Sequence, residues 1–436
     1  MKGYVSIARS LIQALSMSAA LVGCATGPSG APAATSGQNP QQPPAAKAEP
    51  EKVFSIAEIE FPVGAESFLP NLAAAPDGRV LLSWVEPADA GGHKLRCAIR
   101  QGNTWTEAST VYTYKNGELV FTEPTAPATV ALEDGTLVAQ WLVKIKGAVD
   151  PYARNIYVSR SRDGGKTWSP PIIPRYGGKM SDHSFVSLTP MGRDSVGLFW
   201  LDGRKTKYTA PDNYDGQVAL MHTTIGPGGE SAREVEIDAD VCTCCPTTAT
   251  LTARGPIVAY RDHRQKIRDI SFTRLLNDRW TEPQSLHDDR WEIDGCPVNG
   301  PVFSSDGNRV AVIWYTEAND VPKVKISFSE NAGDTFGSPI EVHEGKPAGR
   351  GDVVLVGKEG AVVSWVERSE KGLQILVRRV GADGRRSPAS IVWTSESGKS
   401  AGYPHLAKSG AEWLIAWTDA TSTKKARLAA IKITGE

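Results

Sequence analysis

The sequence carries almost no net charge: 48 Lys and Arg stand against 49 Asp and Glu in 436 residues, a formal −1. Without a basic surplus there is nothing to attract a polyphosphate, so nucleic acid is not an expected partner. Apolar residues at helical spacing are also scarce, which argues against a helical core. Beyond residue 23 no apolar run is long enough to cross a bilayer. The six cysteines match no zinc-ribbon or haem-attachment spacing. What the chain does have is 42 Gly, 29 Pro and 12 Trp, the composition of an all-β protein rich in turns.

Residues 1–23 read as a targeting segment, with Lys2 and Arg9 ahead of a mostly apolar Leu11 to Val22. It ends in Leu21-Val22-Gly23-Cys24, which resembles the bacterial lipobox and implies a lipidated Cys24. An ordinary signal peptide cut nearby, or an uncleaved anchor, are the alternatives. Ala25 stands where an inner-membrane retention signal carries Asp, so the expected location is the cell envelope at the outer membrane. Residues 24–52, rich in Ala, Pro, Gly, Ser and Gln, read as a flexible tether, and 53–436 as one repeat domain.

One unit recurs in that domain: a short lead-in strand, a turn such as Asp-Gly, then an apolar strand with an aromatic near its end. The aromatics fall at Trp84, Trp141, Trp200, Tyr260, Trp314, Trp365 and Trp417, spaced 57, 59, 60, 54, 51 and 52. A period of that size holds four strands, one blade of a propeller, and predicts seven blades, with six as the alternative. The last unit is one strand short. Val53–Phe61 stands unused before the first, so the two chain ends are expected to share the seventh blade.

Two stretches carry the same turn chemistry. Ser161, Asp163, Gly165, Thr167 and Trp168 recur as Ser329, Asn331, Gly333, Thr335 and Phe336. The acid or amide can fold back on backbone N–H groups, glycine supplies positive φ, and the aromatic packs beneath. This turn belongs to one face of the wheel. Blade lead-ins and the turns between second and third strands belong to the other, and they hold the unusual residues. His183, Cys242, Cys244, Cys245, Cys296, Arg350 and His405 arrive there on lead-ins, and Arg204, Tyr260, Arg261, Asp262, Arg264 and Glu317 on turns. Any site is expected at this mouth of the central channel.

The four clustered cysteines admit two readings. An exported protein meets oxidising conditions, so disulfides are expected; four thiols at one end of a channel also suit a soft metal, copper(I) or zinc, with His183 or His405 as a further ligand. The arginines of Tyr260-Arg261-Asp262-His263-Arg264 could clamp a carboxylate or sulfate, or form a salt-bridge network at the blade end.

By the two turn motifs and the repeat, residues 53–436 resemble the sialidase superfamily of Asp-box (BNR) propellers. That resemblance implies binding or cleavage of terminal sialic acid, with three arginines on the sugar carboxylate, a Tyr nucleophile activated by Glu, and an Asp acid/base. Arg204, Arg261 and Arg350 are the blade-end arginines available, with Tyr260, Asp262 and Glu317 as catalytic candidates. The family's early Arg-Ile-Pro stretch has no counterpart, because the first unit opens Phe68-Leu69-Pro70. Three functions follow as expectations: recognition or hydrolysis of an acidic glycan or other small acidic ligand, a metal- or redox-linked role for the cysteines, and a non-catalytic scaffold for envelope protein partners.

Overall fold

A computed structural model describes residues 53–120, 122–174, 180–210, 213–358, 360–395, 402–420 and 425–434. The predicted leader, Cys24 and the tether lie outside the described residues.

The second strand of each unit explains why the fold is a stack of sheets. Val196–Asp202 and Glu412–Asp419 are buried along their whole length. Runs apolar on both sides of the pleat cannot lie on a two-layer surface with one wet face, so each sheet must be covered on both faces by neighbours. Seven antiparallel sheets do this, giving seven blades with second strands at Val80–Pro87, Leu137–Lys144, Val196–Asp202, Gly255–Arg261, Arg309–Thr316, Gly360–Ser369 and Glu412–Asp419. The six-bladed alternative is thereby excluded. The first strands of all seven line a central channel of about 660 Å3.

The repeated aromatic has one job throughout. Trp84 packs on blade seven, Trp141 on blade one and Trp200 on blade two. Tyr260 packs on blade three, Trp314 on blade four, Trp365 on blade five and Trp417 on blade six. Each thus fills the seam with the preceding blade, and the hydrophobic core is seven seams arranged in a ring. Burying such a ring system contributes about 1.5–3 kcal/mol apiece.

The ring closes as the strand count requires. Phe54–Glu58 pairs antiparallel with Lys425–Ile433, Phe54 opposite Ile433 and Glu58 opposite Ala429. It is the outer strand of a sheet whose other three strands come from the C-terminal end.

The blades are not identical. Blade two's fourth strand is reduced to one bridge, Val158 to Ile172. Blade three carries an added hairpin, Lys207–Ala210 with Asn213–Asp215, between its second and third strands.

The two motif turns share one hydrogen-bond network. The Ser161 hydroxyl receives Gly165 N–H at 2.8 Å, and Asp163 receives Thr167 N–H at 2.9 Å and its hydroxyl at 2.6 Å. In the other copy Ser329 receives Gly333 N–H at 2.9 Å and Asn331 receives Thr335 N–H at 3.0 Å. Gly165 and Gly333 have φ of 85° and 81°, where a side chain is strained.

Candidate functional site at the channel mouth

The lead-ins reach the mouth through strained bulges. Leu69, Phe185, Val298 and Arg350 have φ of 52°, 53°, 51° and 54°, in the left-handed region that branched and bulky residues avoid. Bonds from other blades hold them there. Leu69 N–H donates to the Thr418 hydroxyl at 3.1 Å, the Thr247 hydroxyl donates to Phe185 C=O at 2.9 Å, and Arg350 N–H donates to Asn299 Oδ1 at 2.8 Å. Tyr403 donates its hydroxyl to Val298 C=O.

Between blades five and six the mouth widens into a cleft of about 600 Å3, continuous with the channel at Glu123, Arg350 and Tyr403. Its walls add Trp291, Tyr315, Glu317, Arg368 and Cys296. The Arg350 guanidinium lies 5.3 Å above the Tyr403 ring, and Tyr315 donates to Glu317 at 3.0 Å. Burial, first, pushes both tyrosine hydroxyls above their ordinary pKa, so they remain donors.

The sulfurs do gather. Cys242 Sγ lies 3.8 Å from Cys244 Sγ and 3.7 Å from Cys245 Sγ, and all three fall within 4.8 Å of one another. Cys296 approaches Cys244 from blade five. A disulfide needs about 2.05 Å, so these are thiols in contact; the described cysteines, buried Cys97 included, are all free. The contacts of Cys242 with the Cys244 and Cys245 thiols hold its pKa well below the usual range, helped by the Arg261 charge. Cys245 is pushed up to about 12, chiefly by burial, and Cys296 is lowered to about 7 by its bond with Cys244.

The expectation of a histidine ligand is corrected. Neither His183 nor His405 belongs to the sulfur cluster. His183 lies in blade three, its Nδ1 3.0 Å from Arg154 C=O and its Nε2 3.6 Å from Asp202. His405 lies in the channel wall, 4.0 Å from Asp352. Burial lowers its pKa to about 4 and raises that of Asp352 to about 7.

The arginines divide into two kinds. Arg204 makes 2.8 and 2.6 Å bonds to the two Asp202 oxygens and a 2.8 Å pair with Glu234, so carboxylates already surround it. Arg264 pairs with Asp262 at 2.8 Å, and Asp262 also accepts from Ser271 at 2.6 Å. Tyr260 is buried and donates to Asp238 at 2.6 Å. Arg261 and Arg350, by contrast, are both tied to Asn299. Arg261 donates twice to its carbonyl, at 3.0 and 2.8 Å, and once to Tyr315 C=O at 2.7 Å.

The cleft residues that the repeat does not flag are Glu123, in the Glu123–Thr125 turn, and Trp291. Trp291 stands in the polar run His287-Asp288-Asp289-Arg290-Trp291-Glu292, where a lone large aromatic was the available signal.

No protein-family profile and no curated protein matches the chain. Solved structures do match along much of it. One is the NanB sialidase from Streptococcus pneumoniae, 11% identical with a TM-score of 0.43, covering 86% of this chain and 70% of that one. Another is an alpha-L-arabinofuranosidase from Fusarium graminearum, 16% identical with a TM-score of 0.47, covering 88% and 99%. A third is an ulvan lyase, 12% identical with a TM-score of 0.46, covering 72% and 78%. All three scores are below 0.5, so none of these likenesses bears on what the chain does.

Proposed function

We propose that the protein is an envelope-anchored propeller, tethered through Cys24, that binds an acidic glycan in the cleft between blades five and six. The observation that supports this most is the cleft's chemistry: Arg350 and Arg368 face the same void as Tyr315, Tyr403 and Glu317. A guanidinium matches a sugar carboxylate with two parallel donors. Aromatic rings offer flat apolar faces to a pyranose, while tyrosine and carboxylate groups bond its hydroxyls. Glu317, with Tyr315 on it, is the carboxylate placed to act on a glycosidic bond if the ligand is also cleaved.

The test is calorimetric titration with sialylated and uronic-acid oligosaccharides, with neutral oligosaccharides as control, alongside a fluorogenic sialoside assay. Arg350→Ala and Arg368→Ala are each expected to weaken the acidic ligand about tenfold or more, the effect of one lost charged hydrogen bond. Absence of any preference for acidic over neutral sugars in the unmodified protein would defeat the reading.

A further inference from the structure

Of the gathered sulfurs only Cys296 lines that cleft; Cys242, Cys244 and Cys245 stand behind it, and their geometry points elsewhere. Cys242, Cys244 and Cys245 sit on one tight turn leading into blade four, with Cys242 and Cys245 4% and 1% exposed. Thiolates bind a soft ion at about 2.3 Å, which sets the sulfur–sulfur edges at about 4 Å in a trigonal site and about 3.8 Å in a tetrahedral one. The observed edges of 3.8 and 3.7 Å, with the third inside 4.8 Å, are of that size.

The turn is braced rather than loose. Cys242 N–H donates to Arg261 C=O at 3.1 Å. The carbonyl of Pro246 lies against Gly300, where an added Cβ would come within 2.0 Å of it. That contact locks the lead-ins of blades four and five together, and Cys296 stands just before the second of them.

A second observation is independent of the sulfurs. Arg261 is 2% exposed, and its guanidinium bonds only to carbonyls, those of Asn299, Tyr315 and Arg268, with its face over Trp291 at 4.8 Å. Among the described residues no carboxylate pairs with it. A buried charge without a counter-charge is costly. The turn that carries the sulfurs is bonded to Arg261 itself through the Cys242 N–H, and with the Asp269 carboxylate, which also feels the Arg261 charge, it adjoins this cation.

We propose that Cys242, Cys244 and Cys245 hold one thiophilic monovalent ion, Cu(I), with the Arg261 guanidinium offsetting the charge of the thiolates. Cys296, exposed on the cleft wall beside Cys244, is the sulfur that receives the ion from solvent. Three sulfurs with no histidine or carboxylate among them suit a low-coordinate soft ion. Zinc would need a permanent fourth ligand, and Cys296 is the only sulfur at hand for it among the described residues.

The experiment titrates the full mature chain, reduced and under anaerobic conditions, with Cu(I) buffered by a chromogenic chelator. Thiolate-to-copper absorption and X-ray absorption report the ligands. One Cu(I) per chain with three sulfurs is expected. Cys242→Ser and Cys245→Ser should each lose affinity by more than the about 100-fold that removing a merely supporting residue costs. Cys244→Ser, at a partly exposed position, serves if a buried variant fails to fold. Cys296→Ser should keep the affinity and slow the uptake, and Cys97→Ser should change neither.

Failure of the reduced chain to retain Cu(I) against the chelator would overturn the proposal. So would a Cu(I) affinity unchanged in all three serine variants. Zn(II) held in preference, with loss of binding in Cys296→Ser, would overturn it in favour of a four-sulfur zinc site. Disulfides among these cysteines that resist mild reductant in protein taken from the envelope would overturn it in favour of a structural staple. None of these readouts depends on a sugar, so this proposal and the glycan reading stand or fall separately.

Discussion

Asp163 and Asn331 occupy the same place in two copies of one turn, but only Asp163 can titrate, and where it accepts from the Thr167 hydroxyl, Asn331 donates its amide to the Thr335 hydroxyl at 2.9 Å. The Thr167 hydroxyl and N–H, followed by the Ser161 hydroxyl, hold the Asp163 carboxyl down at about 2 from an ordinary 3.8. A depressed carboxyl stabilises the fold above its unfolded pKa, and that contribution is lost as pH falls through the folded value. The expected window therefore runs from about pH 4 down to about pH 2. The Thr167 amide resonance should titrate there with a midpoint near 2, while the Thr335 amide, bonded to Asn331, stays flat. Two-dimensional NMR across that range checks it; a parallel shift of both amides would count against the turn's own carboxyl as the cause. At the same scale, the acids that follow the seam aromatics prove to be partly structural. Trp84, Trp200 and Trp365 donate their indole N–H to Glu86, Asp202 and Glu367, at 3.0, 2.8 and 2.8 Å.

Among the elements, the second strands were the legible ones. Continuous apolar runs ending in an aromatic announce burial on both faces, and their period announces the blade. The lead-ins were legible only as a set. Sequence brings Cys242 and Cys296 to the same face, but it does not say that His183 bonds back to Arg154 of blade two and faces Asp202 of its own blade, while Cys296 crosses to Cys244. Such distances depend on how far each bulge carries its strand into the mouth, and a left-handed Phe185 or Val298 leaves no mark in residue type. The seam aromatics give a direct test at this scale. Trp417→Ala should cost about 3–5 kcal/mol in urea unfolding, as loss of a large buried ring does. Deletion of 53–58 should also destabilise the fold, because it strips Lys425–Ile433 of its outer partner and removes the pairing that joins the two ends of the ring. Soluble, monomeric protein of unchanged melting temperature after that deletion would contradict the closure.

For the whole molecule, the reading that places it in the envelope rests on residues 1–24, and it has its own check. Cys24→Ser should abolish incorporation of labelled palmitate and move the protein from the membrane fraction to the soluble periplasmic one. Retention in the membrane without label would point to an uncleaved anchor. At this scale the composition set only an expectation, that a balanced charge gives no reason for a polyanion partner, and of the blade-end arginines Arg204 is spent on Asp202, Arg264 on Asp262 and Arg261 on backbone carbonyls.

Because Phe54–Glu58 finds its partner only in Lys425–Ile433, the first strand to be made is the last to be satisfied. Blades one to six can zip up in sequence as the polypeptide emerges, yet the circle stays broken until the final residues arrive. A chain made amino end first would therefore wait, with one strand idle, and synthesis would have to finish before the wheel could lock. The seam that fastens the wheel thus joins its oldest strand to its youngest, so a pull on either end of the wheel bears on the last joint made.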